Sequence, residues 1–409
     1  MKIMLLISFL SNFKLFSFQI IFKFSTEKSF DLSENNIYIK LPLGESSSYT
    51  KVYLTFTYDY TYITSKSING TYDEKKYKSY KKLQDEISHF YRGPVSSGYK
   101  SSEILYLTKY SNEIFYPYLN FTFILAKDWN EDYEGLKTGE IGLTLCPDIE
   151  LRNLCFIQKL KDDNITKSYV FSIKYNNDNE GEFIIGDYPH NFISNYLEEN
   201  FRFTRIEIGI GLKWKISVDD IKYNNYYLKE KIIEFQINLN IIYAPEEFKN
   251  LIDENLFNEK INKSCFKGFS DLFKYEFYYC NSSNIKNNFS KVFFINRELN
   301  TTFELGYNDL FIEKNNIFYF LIGFRKGDKN WILGKPFFKK YQIFFDSEKK
   351  IIGLYNIKNN KFPIIQLIVI LFLIIIIIIQ ILYYKKNLDK KRKKRMNEIE
   401  ETFEYLPQN

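Results

Sequence analysis

From about Asn36 to Tyr355 the chain is cut into short apolar runs, alternating or continuous, separated by Asn, Asp, Gly and Ser. Such runs are too short for packed helices and match strands closed by turn residues, so the body is expected to be all-β. Lys51–Thr64, Tyr169–Tyr175, Glu182–Ile185, Phe201–Ile210, Lys213–Val218 and Val292–Ile295 read as strands. Helical spacing is confined to Ser79–His89, Leu151–Lys161 and Ala244–Ile252. More than three hundred residues is large for one sandwich and suits two barrels.

Both ends of this body are hydrophobic. Met1 and Lys2 precede an apolar run from Ile3 to Leu10, the form of a secretory signal over 1–17 with cleavage near Ser17. An uncleaved anchor is the competing reading, and Lys14 interrupts the apolar run it would need. At the other end Pro363–Tyr384 is apolar round its circumference except for Gln366 and Gln380. At about 1.5 Å per residue it crosses a bilayer of about 30 Å, so 363–384 is expected to be a transmembrane helix. The formal charge of +6 is concentrated just beyond it, in Lys385, Lys386 and Lys390–Arg395. A basic flank marks 385–409 as a cytoplasmic tail able to meet anionic lipid, and no nucleic-acid partner is expected.

Seven Asn-x-Ser/Thr glycosylation sites lie between the two apolar ends, at Asn69, Asn120, Asn164, Asn262, Asn281, Asn288 and Asn300. Their placement agrees with a lumenal or extracellular body on a single-pass type I protein. Cys146, Cys155, Cys265 and Cys280 form two local pairs that an oxidising compartment would close as disulfides. With no CxxC pair and no His-rich cluster, neither zinc nor another metal or cofactor is expected.

Trp331–Tyr355, WILGKPFFKKYQIFFDSEKKIIGLY, reads as a strand, a glycine turn, a short helical step and a β-hairpin. It resembles the closing segment of pepsin-like aspartic proteases. Similar matches run in order along the chain. Gly44 opens a turn between two strands, and Tyr91–Gly98, YRGPVSSG, looks like the substrate flap with Tyr91 as its tyrosine. Thr138–Leu143, TGEIGL, is similar to the apolar-glycine segment crossing beneath the first active-site loop. Phe171-Ser172 with Gly181–Gly186 resembles the end of the first lobe, and Trp214 stands near the start of the second. The resemblance implies a bilobal pepsin-like double β-barrel, with lobes at 18–199 and 200–357.

That family works through two Asp-Thr-Gly loops, whose carboxylates share a proton and activate a water. No Asp-Thr-Gly or Asp-Ser-Gly occurs in this sequence. The first family Asp lies eleven residues after the opening glycine and seven before a tryptophan; counting from Gly44, and back from Tyr62, both give Thr55. Counting nine back from Pro245 in YAPEEF gives Gln236. The threonines that brace the loops fall on Phe56 and Ile237, and the loop glycines on Thr57 and Asn238. A hydroxyl or an amide cannot take a proton from water, so Thr55 and Gln236 read as a degenerate dyad. Asp59, Asp219 and Asp220 read as turn residues, and His89 and His190 as surface or loop residues.

The expected function is therefore a catalytically dead pseudopeptidase that holds a peptide or protein in its cleft, with Tyr91 as a lid. A divergent active aspartic endopeptidase is the alternative. A third reading is a glycosylated surface element with a filled cleft. Plasma, endolysosomal and ER membranes stay open.

Overall fold

The computed structural model describes residues 19–27, 36–45, 47–68, 70–88, 94–108, 115–129, 138–146, 152–191, 196–207, 212–258, 263–271, 274–355 and 364–404. They fall in two compact units, one within 1–356 and one within 357–409.

The first unit is mostly β, as the turn-punctuated pattern predicts, and its described strands form two large sheets. One sheet begins at the hairpin Lys81–Ser88 and Val95–Thr108, continues through Phe115–Trp129 and Thr61–Thr64, and reaches Gly139–Gly142, Tyr49–Thr55 and Asn36–Pro42. It goes on through Ile20–Glu27, Glu180–Ile185 and Val170–Tyr175, then takes in three strands from the second half: Ile343–Asp346, Ile351–Tyr355 and Phe201–Arg205. The junction is antiparallel, with Ile173 opposite Ile343 and Val170 opposite Asp346. The other sheet is drawn wholly from the second half, with Lys215–Tyr223, Tyr226–Phe235, Trp331–Leu333 and Ile242–Ala244 side by side at its centre.

Strand alternation builds a shared aromatic core. Val52, Leu54, Ile141, Ile233 and Phe235 turn one face of their strands into it. Phe345 stacks on Phe171 at 5.1 Å, and Trp214 lies 5.0 Å from Phe345. Trp331 meets Phe248 at 4.7 Å and Phe294 at 5.1 Å.

Two sequence expectations are corrected. Ser79–His89 is not helical: Lys81–Ser88 is a strand, with Ile87 opposite Gly98 and Ser88 opposite Ser97. Its spacing suits a helix, but it pairs with the long strand Val95–Thr108 at both ends, with a shift in register between Lys82 and Glu86, and tertiary context overrides weak local preference. Asp219 and Asp220 are not turn residues but lie within Lys215–Tyr223, where Asp219 accepts the Arg297 N–H at 2.7 Å. The turn falls at Asn224, whose φ of 53° suits asparagine.

The second unit is the helix Ile364–Glu404. Among the described residues no helix is long and apolar enough to cross a membrane. Residue 363 and the side chains of 364–371, the first part of the expected span, lie outside the description, as does the expected signal at 1–17.

Candidate functional site

Each half of the body passes a loop across a strand that ends at a glycine or just before one. In the first, Tyr49–Thr55 leaves into residues 56–60 and returns as Thr61–Thr64. Gly139–Gly142 runs between the two, parallel to one with Gly142 opposite Thr55, antiparallel to the other with Ile141 opposite Thr61. The Leu143 N–H donates to the Thr55 carbonyl at 2.8 Å, and the Gly142 N–H to that of Tyr60 at 3.1 Å. A β-carbon on Gly142 would sit 2.4 Å from the Tyr58 carbonyl oxygen, so the crossing admits glycine alone.

The second half repeats this. Tyr226–Phe235 leaves into 236–241 and returns as Ile242–Ala244, with Trp331–Leu333 between. Phe235 lies opposite Leu333 in parallel register and Tyr243 opposite Ile332 in antiparallel register. The Gln236 N–H donates to the Leu333 carbonyl at 3.0 Å, and a β-carbon on Gly334 would lie 2.3 Å from the Ile241 carbonyl oxygen. With Gly142 and Gly334 as common origins, both registers place Thr55 and Gln236 at the same point of their loops.

The loops are tied together beneath. Leu143, bonded to Thr55, accepts the Trp214 indole N–H at 2.7 Å, and the Trp214 carbonyl accepts the Phe235 N–H at 2.9 Å. Phe56 and Phe235, the neighbours of Thr55 and Gln236, both pack on Phe345, at 5.1 and 6.0 Å, and on Phe338, at 6.4 and 6.1 Å.

Both equivalent side chains are buried and engaged locally. Thr55 Oγ1 donates to Thr57 Oγ1 at 2.9 Å and accepts the Thr57 N–H at 3.1 Å, closing a hydroxyl turn. Gln236 Nε2 donates to Glu234 Oε1 at 2.8 Å. Neither group can act as a base toward water.

Sequence reasoning missed the carboxylates around these positions. Glu234, 4 % exposed, is held by Lys213 at 2.8 Å and Lys215 at 3.5 Å. Near it, burial raises the Asp328 carboxyl above its usual range; Arg325 opposes the rise and the Glu234 charge adds to it. Asp328 Oδ2 is buried without a hydrogen bond among the described residues. In the first half Glu140 lies opposite Tyr53 and Tyr62, and burial pushes it up to about 8. A signal existed: Glu140 in GEIG and Glu234 in IIEFQI are acids inside apolar strands, which rarely bury a charge without a reason.

The remaining predicted residues are dispersed. Tyr91, Asn69, Asn262 and His89 lie outside the described residues. Asn120, Asn164, Asn281, Asn288 and Asn300 are all exposed. Cys146 is bonded to Cys155 and Cys265 to Cys280. Asp59 sits half-buried in the first loop. His190 is packed rather than free on the surface: its ring stacks on Tyr188 at 5.5 Å, and Nδ1 is 2.5 Å from the Tyr355 hydroxyl. Among the described residues no group of three or more His, Cys, Asp or Glu side chains is gathered that would hold a metal.

A repeated loop crossing a short strand at a glycine, once per half and joined over one aromatic core, defines a bilobal β-protein with an internal two-fold repeat. The sequence profile of the eukaryotic aspartyl proteases matches residues 47–357, and the chain belongs to that family. Two solved structures share the fold. The chain superposes on conglutin gamma, a basic 7S globulin from lupine seeds, with a TM-score of 0.63 and 14 % identity, over 83 % of this chain and 95 % of that one. Basic 7S globulin from soybean gives 0.61 and 13 %, over 83 % and 96 %. A search of curated proteins found no match.

Proposed function

We propose that the chain is a single-pass type I membrane protein whose pepsin-like body binds an extended peptide or protein segment without cutting it. The observation that carries this reading is the pairing of Thr55 with Gln236: the loop positions equivalent in the two halves hold a hydroxyl and an amide, each bonded within its own lobe. In a family whose chemistry needs two carboxylates, such a floor leaves water unactivated. An extended ligand would be held through main-chain hydrogen bonds and alternate side-chain pockets, with Tyr91 above it.

The membrane reading is supported by the apolar sequence 363–384, by the exposed side chains Phe372–Ile379 in the described helix, and by the basic cluster after it. The exposed sequon asparagines and the two disulfides favour an extracellular or lumenal body, glycosylated and facing an oxidising compartment. The test is to load the full-length chain, in lipid nanodiscs, with a random peptide library at pH 4 and pH 7, then recover and weigh what is bound. Intact peptides are expected; internally cut peptides, with cutting blocked by pepstatin, contradict the reading.

A second reading, a divergent active endopeptidase, is favoured by one observation: Glu234 lies against Gln236 and influences Asp328, whose carboxyl is raised. A carboxyl raised by burial and acted on by a second buried acid is raw material for acid–base catalysis. Under that reading Glu234→Gln removes peptide cutting entirely.

A further inference from the structure

A cavity of about 740 Å³ opens between residues of the two halves, and neither Thr55 nor Gln236 lines it. Its size is that of a small-molecule pocket. Its apolar lining comes from Phe311, Ile312, Leu321 and Pro336. The rest of the lining includes Asn179, Asn240, Asn308 and Lys335.

The charges are unevenly satisfied. Glu27 is bonded by Lys51 and Tyr53, Asp178 by Lys339, and Asp309 by Lys340 at 2.7 Å and by the Gly306 N–H at 2.8 Å. Glu313 is exposed beside Lys314. Among the described residues the Lys335 amine makes no hydrogen bond or ion pair; it lies over the face of Tyr175, 5.9 Å from the ring centre. Burial lowers that amine to about 8, against the pull of Asp178 and with the push of Lys339 and Lys314. A half-buried cation that makes no direct ion pair, in a cavity with apolar lining, is the complement of a carboxylate on an apolar body.

We infer that this cavity binds a small organic carboxylate, with Lys335 holding the charged group and the apolar lining of Phe311, Leu321 and Pro336 holding the apolar part. The inference rests on the lining of this cavity and not on peptide binding, so either reading stands or falls without the other.

The experiment is calorimetric titration of the full-length chain with N-acetylphenylalanine and with N-acetylphenylalaninamide, which share a shape and differ in charge. The acid is expected to bind more tightly by on the order of tenfold or more, and Lys335→Gln to erase that preference while the melting temperature holds. Lys335→Arg, which keeps the charge, is expected to retain part of it. Equal binding of acid and amide, no saturable binding of either, or an undiminished preference in Lys335→Gln overturns the inference.

Discussion

Trp214 donates its indole N–H to the carbonyl of Leu143 at 2.7 Å, and through this bond a residue of the second half holds up the loop of the first. The indole is 1 % exposed and packs on Phe171 and Phe345 at 5.8 and 5.0 Å. Because Leu143 is itself bonded to Thr55, this side chain joins the two loops by hydrogen bonding, beside the packing of Phe56 and Phe235 on Phe345 and Phe338.

Trp214→Phe keeps an aromatic ring but leaves the Leu143 carbonyl without its donor. The unmade bond costs about 1–3 kcal/mol, and the smaller ring leaves space in the core that adds to it. Urea denaturation followed by tyrosine fluorescence checks this, and a loss below about 1 kcal/mol would show that the bond is not buried as described.

Gly142→Ala and Gly334→Ala each force a methyl onto backbone oxygens at 2.4 and 2.3 Å. These are backbone atoms, which cannot rotate aside. Each variant is expected to lose about 3 kcal/mol or more, whereas Gly327→Ala, which meets nothing within 4 Å, is limited to the strain of its positive φ. Comparative thermal melts separate the two kinds of cost.

How much of this was readable from the chain differs from residue to residue. Counts from Gly44 and Pro245 gave Thr55 and Gln236, and the registers against Gly142 and Gly334 relate those same two residues, because glycine crossings leave fixed spacings in a sequence. Lys81–Ser88 was misread because its partner, Val95–Thr108, supplies a ladder that no local spacing reveals. Glu140 and Glu234 were passed over because their strands were judged by apolar content, while their burial comes from neighbouring strands and from Lys213 and Lys215. The Lys335 cavity is assembled from both halves of the chain, so no single stretch carries it.

Glu140 makes stability depend on pH. Its carboxyl is raised to about 8 when folded, against 4.5 for the free group, so the unfolded chain ionises first as pH rises. Below about pH 4.5 both states hold the proton and there is no penalty. Between there and about pH 8 the folded state loses ground, and above that the loss is constant. Glu140→Gln is expected to be more stable than the parent by a margin that grows across this window to roughly 4 kcal/mol at pH 8. Equal pH dependence in parent and variant would remove Glu140 as the cause.

Cys265 and Cys280 face each other on antiparallel strands and close a separation of fifteen residues. By chain entropy such a link contributes about 3 kcal/mol. Cys265→Ser with Cys280→Ser is expected to lower stability by about that amount without changing the strand content seen by circular dichroism. Peptide mapping without reductant is expected to return the 146–155 and 265–280 links.

The central claim, that the paired loops hold no working acid pair, is tested most directly by measuring hydrolysis of an unfolded protein substrate by the full-length chain from pH 3 to pH 7. No cleavage above the level of substrate alone is predicted at any pH. Cleavage that is inhibited by pepstatin and lost in Glu234→Gln would contradict it.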